Sequence, residues 1–152
     1  VDDSRPSVFD VVLSEIANEE ERKHVSRAKP IGRLDVDTTG LLLLTSDGAL
    51  AHALASPQFK VPKLYRCVLR DTSKPLSTHA IQELEKGVVL RHAQKALVRG
   101  KCWNVPNQVG TVDLEITSGY KHQAKLMLKL VGRPLKALHR LQFASLQLDS
   151  SL

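Results

Sequence analysis

Val8, Val11, Val12 and Ile16 recur at helical spacing behind Ser7, and Asp10 three residues on completes a capping box. A first helix is therefore expected from about Val8 into the charged cluster Glu19 to Lys23. Ile31 to Leu34 and Leu41 to Thr45 read as two short strands around the polar segment Asp35 to Gly40, and Asp47-Gly48 as a turn. The alanine-rich stretch Ala49 to Ala55 forms a helical turn that stops before Ser56-Pro57. From Leu64 to Arg70 the pattern is extended, with Tyr65, Cys67 and Leu69 on one side and Arg66 and Arg70 on the other. Ser77 to Lys86 is helical and closed by Gly87, while Val109 to Ile116 alternates Val112, Leu114 and Ile116 with Thr111, Asp113 and Glu115. His122 to Val131 is a final helix ended by Gly132 and Pro134, after which Leu135 to Leu148 supplies two more strands. Strands in a row with helices between some of them predict an α+β domain with a mainly antiparallel, mixed sheet and flanking helices.

With 152 residues, 42% hydrophobic and 25% charged, the chain suits one compact domain rather than two, and is too apolar for a disordered tail. The longest purely aliphatic run is Leu41 to Leu44, far short of the roughly 20 residues that cross a bilayer, and no secretion-signal pattern opens the chain. Cys67 and Cys102 stand without neighbouring thiols, so neither a zinc half-site nor a disulfide framework is expected, and a reducing intracellular compartment is the default. The net charge of +6 is unevenly spread: residues 1–60 carry 7 cations and 10 anions, residues 61–152 carry 15 cations and 6 anions. A polyanion such as RNA would be held chiefly by the second part, although the same excess also serves solubility.

The densest polar cluster attached to apolar segments is Gly32-Arg33-Leu34-Asp35-Val36-Asp37-Thr38-Thr39-Gly40. Read generically, Asp35 and Asp37 point the same way on a strand and suit Mg²⁺, and D-x-D-x-T also matches an aspartyl-phosphate loop. That phosphatase reading calls for a strongly apolar strand before the pair and more carboxylates after it. Here the preceding Lys29 to Arg33 is basic and broken by proline, and only six acids follow Lys60. The plainest reading of the segment alone is an Asp-Thr-Gly turn. Likewise Lys121, Lys125 and Lys129 at i, i+4, i+8 form the basic stripe of any amphipathic helix. Trp103 is expected to pack, and the other histidines to lie at the surface or in satisfied contacts.

Together with its flanks, GRLDVDTTGLLLLTSDG resembles the signature loop of the RsuA-like branch of the RNA pseudouridine synthases. Lys63-Leu64-Tyr65 is similar to that family's K-x-Y motif, Gly119 to Lys125 resembles G-x-x-H-Q-x-[KR], Arg5 to Asp10 looks like R-P-T-V-x-D, and Leu138-His139-Arg140 like L-x-R. The resemblance implies a catalytic domain with a central cleft, isomerising a specific uridine of ribosomal RNA without a cofactor or a metal. It implies catalytic roles for Asp35 as nucleophile, Tyr65 against the uracil and in proton removal, and Lys125 as the cation that keeps Asp35 ionised. Arg33, Lys121, His122, Gln123 and Arg140 are the implied RNA contacts. The sequence departs from the family pattern at Tyr120, Leu126 and Ala144, which bears on RNA contacts more than on catalysis. The family's usual K-P-x-G strand and small RNA-binding domain do not precede Val1, so residues 1–152 read as a catalytic domain trimmed at its N-terminus. A monomer with RNA as its partner and no membrane association is expected, in the cytoplasm or an organelle matrix. The alternative from another class is a non-catalytic RNA-binding module in ribosome assembly.

Overall fold

A computed structural model describes residues 6–149. Arg5, the first residue of the R-P-T-V-x-D resemblance, lies outside the described residues. Helix α1, Val8–Glu15, starts as expected: the Asp10 amide donates to Ser7 Oγ at 3.2 Å and the Ser7 amide to Asp10 Oδ2 at 2.7 Å. It ends earlier than expected. Asn18 Oδ1 accepts from the amides of Glu20 and Glu21 and begins a separate helix α2, Glu19–Ser26, whose first-turn acids suit its N-terminal dipole. A side chain that captures backbone donors competes with continuing the helix before it, which is why the charged cluster stands apart from α1.

The expected strands flanking the polar loop are displaced. Short β1, Lys29–Pro30, pairs antiparallel with β3, Leu44–Thr45, and between them β2 covers Thr38–Gly40, residues expected in the loop. Gly32 at φ +73° turns the chain away from strand geometry, and Thr38–Gly40 docks on the distant edge offered by β9. Asp47 caps α3, Gly48–Ala55, as its turn chemistry implies.

The central strands follow the alternation closely. β4, Lys63–Leu69, buries Lys63, Cys67 and Leu69 on one face. α4, Thr78–Lys86, is capped by Ser77 and stopped at Gly87. A short hairpin, β5 (Val88–Leu90) with β6 (Ala96–Val98), and β7, Lys101–Asn104, were not marked by any periodicity, since three or four residues carry too little of it. β8 is Thr111–Ile116, α5 Gln123–Leu130, β9 Leu135–Phe143 and β10 Leu146–Gln147. Among the described residues six strands make the main sheet, in the order β10-β9-β4-β8-β7, antiparallel throughout, with β2 added parallel to β9. This is the α+β, mainly antiparallel mixed sheet that the pattern predicted.

Leu84 of α4 and Met127 and Leu128 of α5 pack with Cys67, Leu69, Val112 and Leu114 into one core, each large side chain contributing about 1.5–3 kcal/mol. β8 is an interior strand between β4 and β7, and its polar face is buried too: Asp113, 6% exposed, is matched by a two-pronged pair from Arg66 at 2.9 and 3.0 Å. Trp103, expected to pack, is 41% exposed on β7. No helix among the described residues is long and apolar enough to cross a membrane.

Candidate active site

Two walls face each other across a cavity of about 760 Å³, within the range of small-molecule pockets. The first wall is the segment before β2 together with the start of α5. The Thr38 amide donates to the Asp35 carbonyl at 2.8 Å, closing a tight turn, and β2 clamps this turn to β9 through the register Thr38 to Leu138, Thr39 to His139 and Gly40 to Arg140. Gly40 is required there: at φ +100°, a Cβ would collide with the backbone of Arg140. Asp35 is thereby held over the N-terminal end of α5.

That helix end is shaped by Gln123, whose Oε1 accepts from Ser118 Oγ at 2.9 Å and from the Tyr120 amide at 3.1 Å. His122 adopts a left-handed backbone, φ +57°, and caps nothing with its side chain. Instead its Nε2 stands 3.7 Å from Asp35 Oδ1. Lys125 Nζ lies 3.1 Å from Asp35 Oδ2 and also donates to Asp37 Oδ1, so it joins two carboxylates of one loop. Of the stripe Lys121, Lys125 and Lys129, only Lys125 reaches them. Burial disfavours the charged Lys125 ammonium, but the hydrogen bonds to Asp37 and Asp35 together with their negative charges outweigh it and hold the group above its ordinary value. Direct hydrogen bonding from Lys125 likewise holds the Asp37 carboxyl below its usual range.

The second wall is the β4–β9 pair. Lys63 and Tyr65 lie two apart on one face of β4, beside Phe143 and Arg140 of β9, and a register shift between Leu64 and Tyr65 sets Tyr65 against Arg140. Arg140 Nε donates to the Leu41 carbonyl at 2.7 Å, and its Nη1 lies 3.4 Å from the Tyr65 hydroxyl. Its guanidinium stands 5.1 Å from the Phe143 ring centre, and Lys63 Nζ 5.0 Å from the same ring. Burial, and then the neighbouring Arg140 charge, push the Lys63 ammonium below its ordinary value. Thr38 Oγ1 and Arg140 Nη2 are buried polar atoms that find no hydrogen-bond partner among the described residues, and both residues border the cavity.

Asp35, Tyr65 and Lys125 therefore share one cavity, with Arg33, Lys121 and His122 exposed around it. Gln123 and Arg140, implied as RNA contacts, are 3% and 1% exposed; the Gln123 amide is used within the protein, and of Arg140 the Nε and Nη1 are. Neither offers a side chain to a phosphate in this state: one shapes the loop before α5, the other underlies Tyr65. Sequence reasoning missed three participants. Asp37 enters the sequence reading only as a metal or aspartyl-phosphate loop residue, Lys63 only as a motif letter, and Phe143 with no role. The signal for Lys63 was a lysine in register with the buried face of β4. A second, smaller groove of about 240 Å³ shares Asp37 and Lys125 with the first and is bordered by Arg70, Lys129 and Lys136. Among the described residues, no three histidine, cysteine or carboxylate side chains gather into a metal-type cluster.

A carboxylate held by an ammonium, in a cavity that a phenol also borders, is chemically able to stabilise positive character developing in a bound substrate. The profile of the RNA pseudouridylate synthase family matches residues 7–130. The chain is 38% identical over 121 residues to ribosomal small subunit pseudouridine synthase A of Vibrio vulnificus, covering 80% of this chain and 51% of that protein. It is 37% identical over 123 residues to the enzyme of that name from Escherichia coli strain K12, covering 80% and 50%. A Bacillus subtilis protein named as an uncharacterized RNA pseudouridine synthase is 42% identical over 126 residues, covering 81% and 51%. The chain thus spans about half the length of the curated relatives it matches. A solved pseudouridylate synthase superposes with a TM-score of 0.74 at 34% identity, over 84% of this chain and 53% of that one. A Cbf5-Nop10-Gar1 complex, at 14% identity and a TM-score of 0.57 over 97% of this chain and 48% of that one, shares the fold alone. With most of its length matched by one profile and its characteristic residues assembled around one cavity, the chain belongs to the RNA pseudouridylate synthase family.

Proposed function

We propose that this chain is the catalytic domain of a cofactor-free enzyme that isomerises a uridine of ribosomal RNA, of the small subunit as in its named relatives, to pseudouridine. The observation that carries this reading is the Asp35 carboxylate 3.1 Å from Lys125 Nζ, in the cavity that Tyr65 borders. In the reaction Asp35 attacks ribose carbon 1 as the bond to uracil N1 breaks, with the electron pair leaving on N1. The uracil turns against Tyr65, its C5 bonds to carbon 1 and displaces Asp35, the C5 proton leaves with help from the Tyr65 hydroxyl, and N1 takes up a proton. Atoms and electrons balance without a redox partner.

Extruding the target nucleotide costs on the order of a few kcal/mol, which phosphate contacts offset. Arg33, Lys121 and His122 suit that task, as do Arg70, Lys129 and Lys136 around the smaller groove. The enzyme works as an intracellular monomer whose partner is RNA. Tritium release from small-subunit rRNA labelled at uridine C5 tests the proposal with the full-length protein. Release by the native protein, and none by Asp35→Asn at unchanged RNA affinity, is the expected result. Undiminished release by Asp35→Asn refutes the nucleophile, and RNA binding with no release by the native protein favours a non-catalytic binding module.

A further inference from the structure

Lys63 and Arg140 are two neighbouring cations that are 9% and 1% exposed, and among the described residues no carboxylate pairs with either. Buried lysines and arginines are ordinarily paired, because removing a charge from water is expensive unless an opposite charge replaces the hydration. Here the compensation is neutral: the Val61 carbonyl at 3.2 Å for Lys63, the Leu41 carbonyl for Arg140, and the Phe143 ring for both. One nitrogen, Arg140 Nη2, has no hydrogen-bond partner among the described residues. Both residues border the cavity and flank Tyr65. Such a wall favours a group that becomes negative inside the cavity.

We propose that Lys63, with Arg140 beside it, stabilises the negative charge that uracil acquires when its glycosidic bond breaks. The inference rests on the uridine-isomerising reading and deepens it. Heterolysis places an electron pair on N1, delocalised onto the carbonyl oxygens O2 and O4, and a donor-only wall accepts those oxygens without reorganisation. Lys63 touches the base edge. Arg140, deeper, is a positioning residue that aims a donor at the Tyr65 oxygen. The flat apolar surroundings, Tyr65, Phe143 and Leu138, suit a planar ring rather than a hydrated phosphate. The same wall disfavours cytosine, whose exocyclic amine would bring a donor against donors.

Lys63→Met keeps the side-chain length and removes the charge. The expected result is single-turnover tritium release slowed about 100-fold or more, with rRNA affinity and its salt dependence unchanged and melting at or above the native temperature. Lys63→Arg, which keeps a cation, retains a measurable part of the rate. Full turnover by Lys63→Met overturns the proposal, as does melting lowered by more than about 5 °C, which marks a structural role. Loss of affinity with a shallower salt slope assigns Lys63 to a phosphate and also overturns it. A native protein that releases no tritium overturns the parent reading together with this one, whereas an active native protein with an equally active Lys63→Met overturns this one alone.

Discussion

Gly40→Ala is the substitution through which fold and site are most tightly coupled. Gly40 sits at φ +100°, where an L side chain is strained, and its Cβ would fall on the Arg140 carbonyl oxygen and within 2.7 Å of the Arg140 amide nitrogen. Those atoms are backbone and cannot rotate away, so β2 must leave β9. The Leu41 amide bond to the Arg140 carbonyl, 2.9 Å, and the Arg140 Nε bond to the Leu41 carbonyl, 2.7 Å, are lost with it. Backbone strain together with these hydrogen bonds, one of them from a charged donor, amounts to about 4 kcal/mol. For a chain of this size that lowers melting by about 8–16 °C. Because the displaced strand carries the Asp35 turn, a shift on the order of 1 Å also reduces turnover about 100-fold in the surviving folded fraction. Thermal unfolding followed by circular dichroism, with tritium release measured well below the transition, reads both effects. Two controls calibrate them: Gly32→Ala, at φ +73° with open space around it, costs about 1 kcal/mol of strain, and Gly119→Ala, unstrained and open, changes little. Melting of Gly40→Ala within 2–4 °C of the native protein, which 1 kcal/mol alone explains, refutes the reasoning.

Arg66→Met strands the buried Asp113 carboxylate; because the Arg66 side chain is 37% exposed, the loss is discounted to about 2 kcal/mol, or about 4–8 °C of melting, and Asp113→Leu in the same chain recovers most of it. Melting unchanged in the single variant refutes this. The Asp37 carboxyl, held down by Lys125, titrates below 3.8, so what their pairing contributes is present above that value and lost as the pH falls through the lowered one. Carboxyl ¹³C NMR of Lys125→Met shows the Asp37 midpoint moved upward, and identical midpoints in both proteins disprove the pairing. Burial first raises both thiols, Cys67 well above its ordinary value and Cys102 to about 12, so a disulfide reagent at pH 8 modifies neither until the protein unfolds. Stoichiometric labelling of the folded protein contradicts that burial.

Ser7 and Ser77 could be read as helix starts from the chain alone because each satisfies donors within three residues, and Gly87 and Gly132 as stops for the same local reason; Asp47, legible only as a turn residue, proved to be the cap of α3. The alternation over β4 and β8 was legible because a strand's two faces repeat every second residue. The site residues Asp35, Tyr65 and Lys125 emerged from motif resemblance rather than from any local physical signal. Chain distance hid the rest. β2 exists because Thr38–Gly40 meets an edge of β9 about a hundred positions later, and no local pattern contains that partner. Asp37 joined the site only when α5 brought Lys125 to it, and Asn18 divided a helix that hydrophobic spacing alone would have continued. Arg140 and Lys63 have the composition of surface residues, yet the β4–β9 register turns both inward beside Phe143. Local hydrogen bonding and side-chain period therefore determined where most elements begin and which faces they bury. Only tertiary packing decided which charges meet, because Coulomb and desolvation energies depend on separation in space and not along the chain.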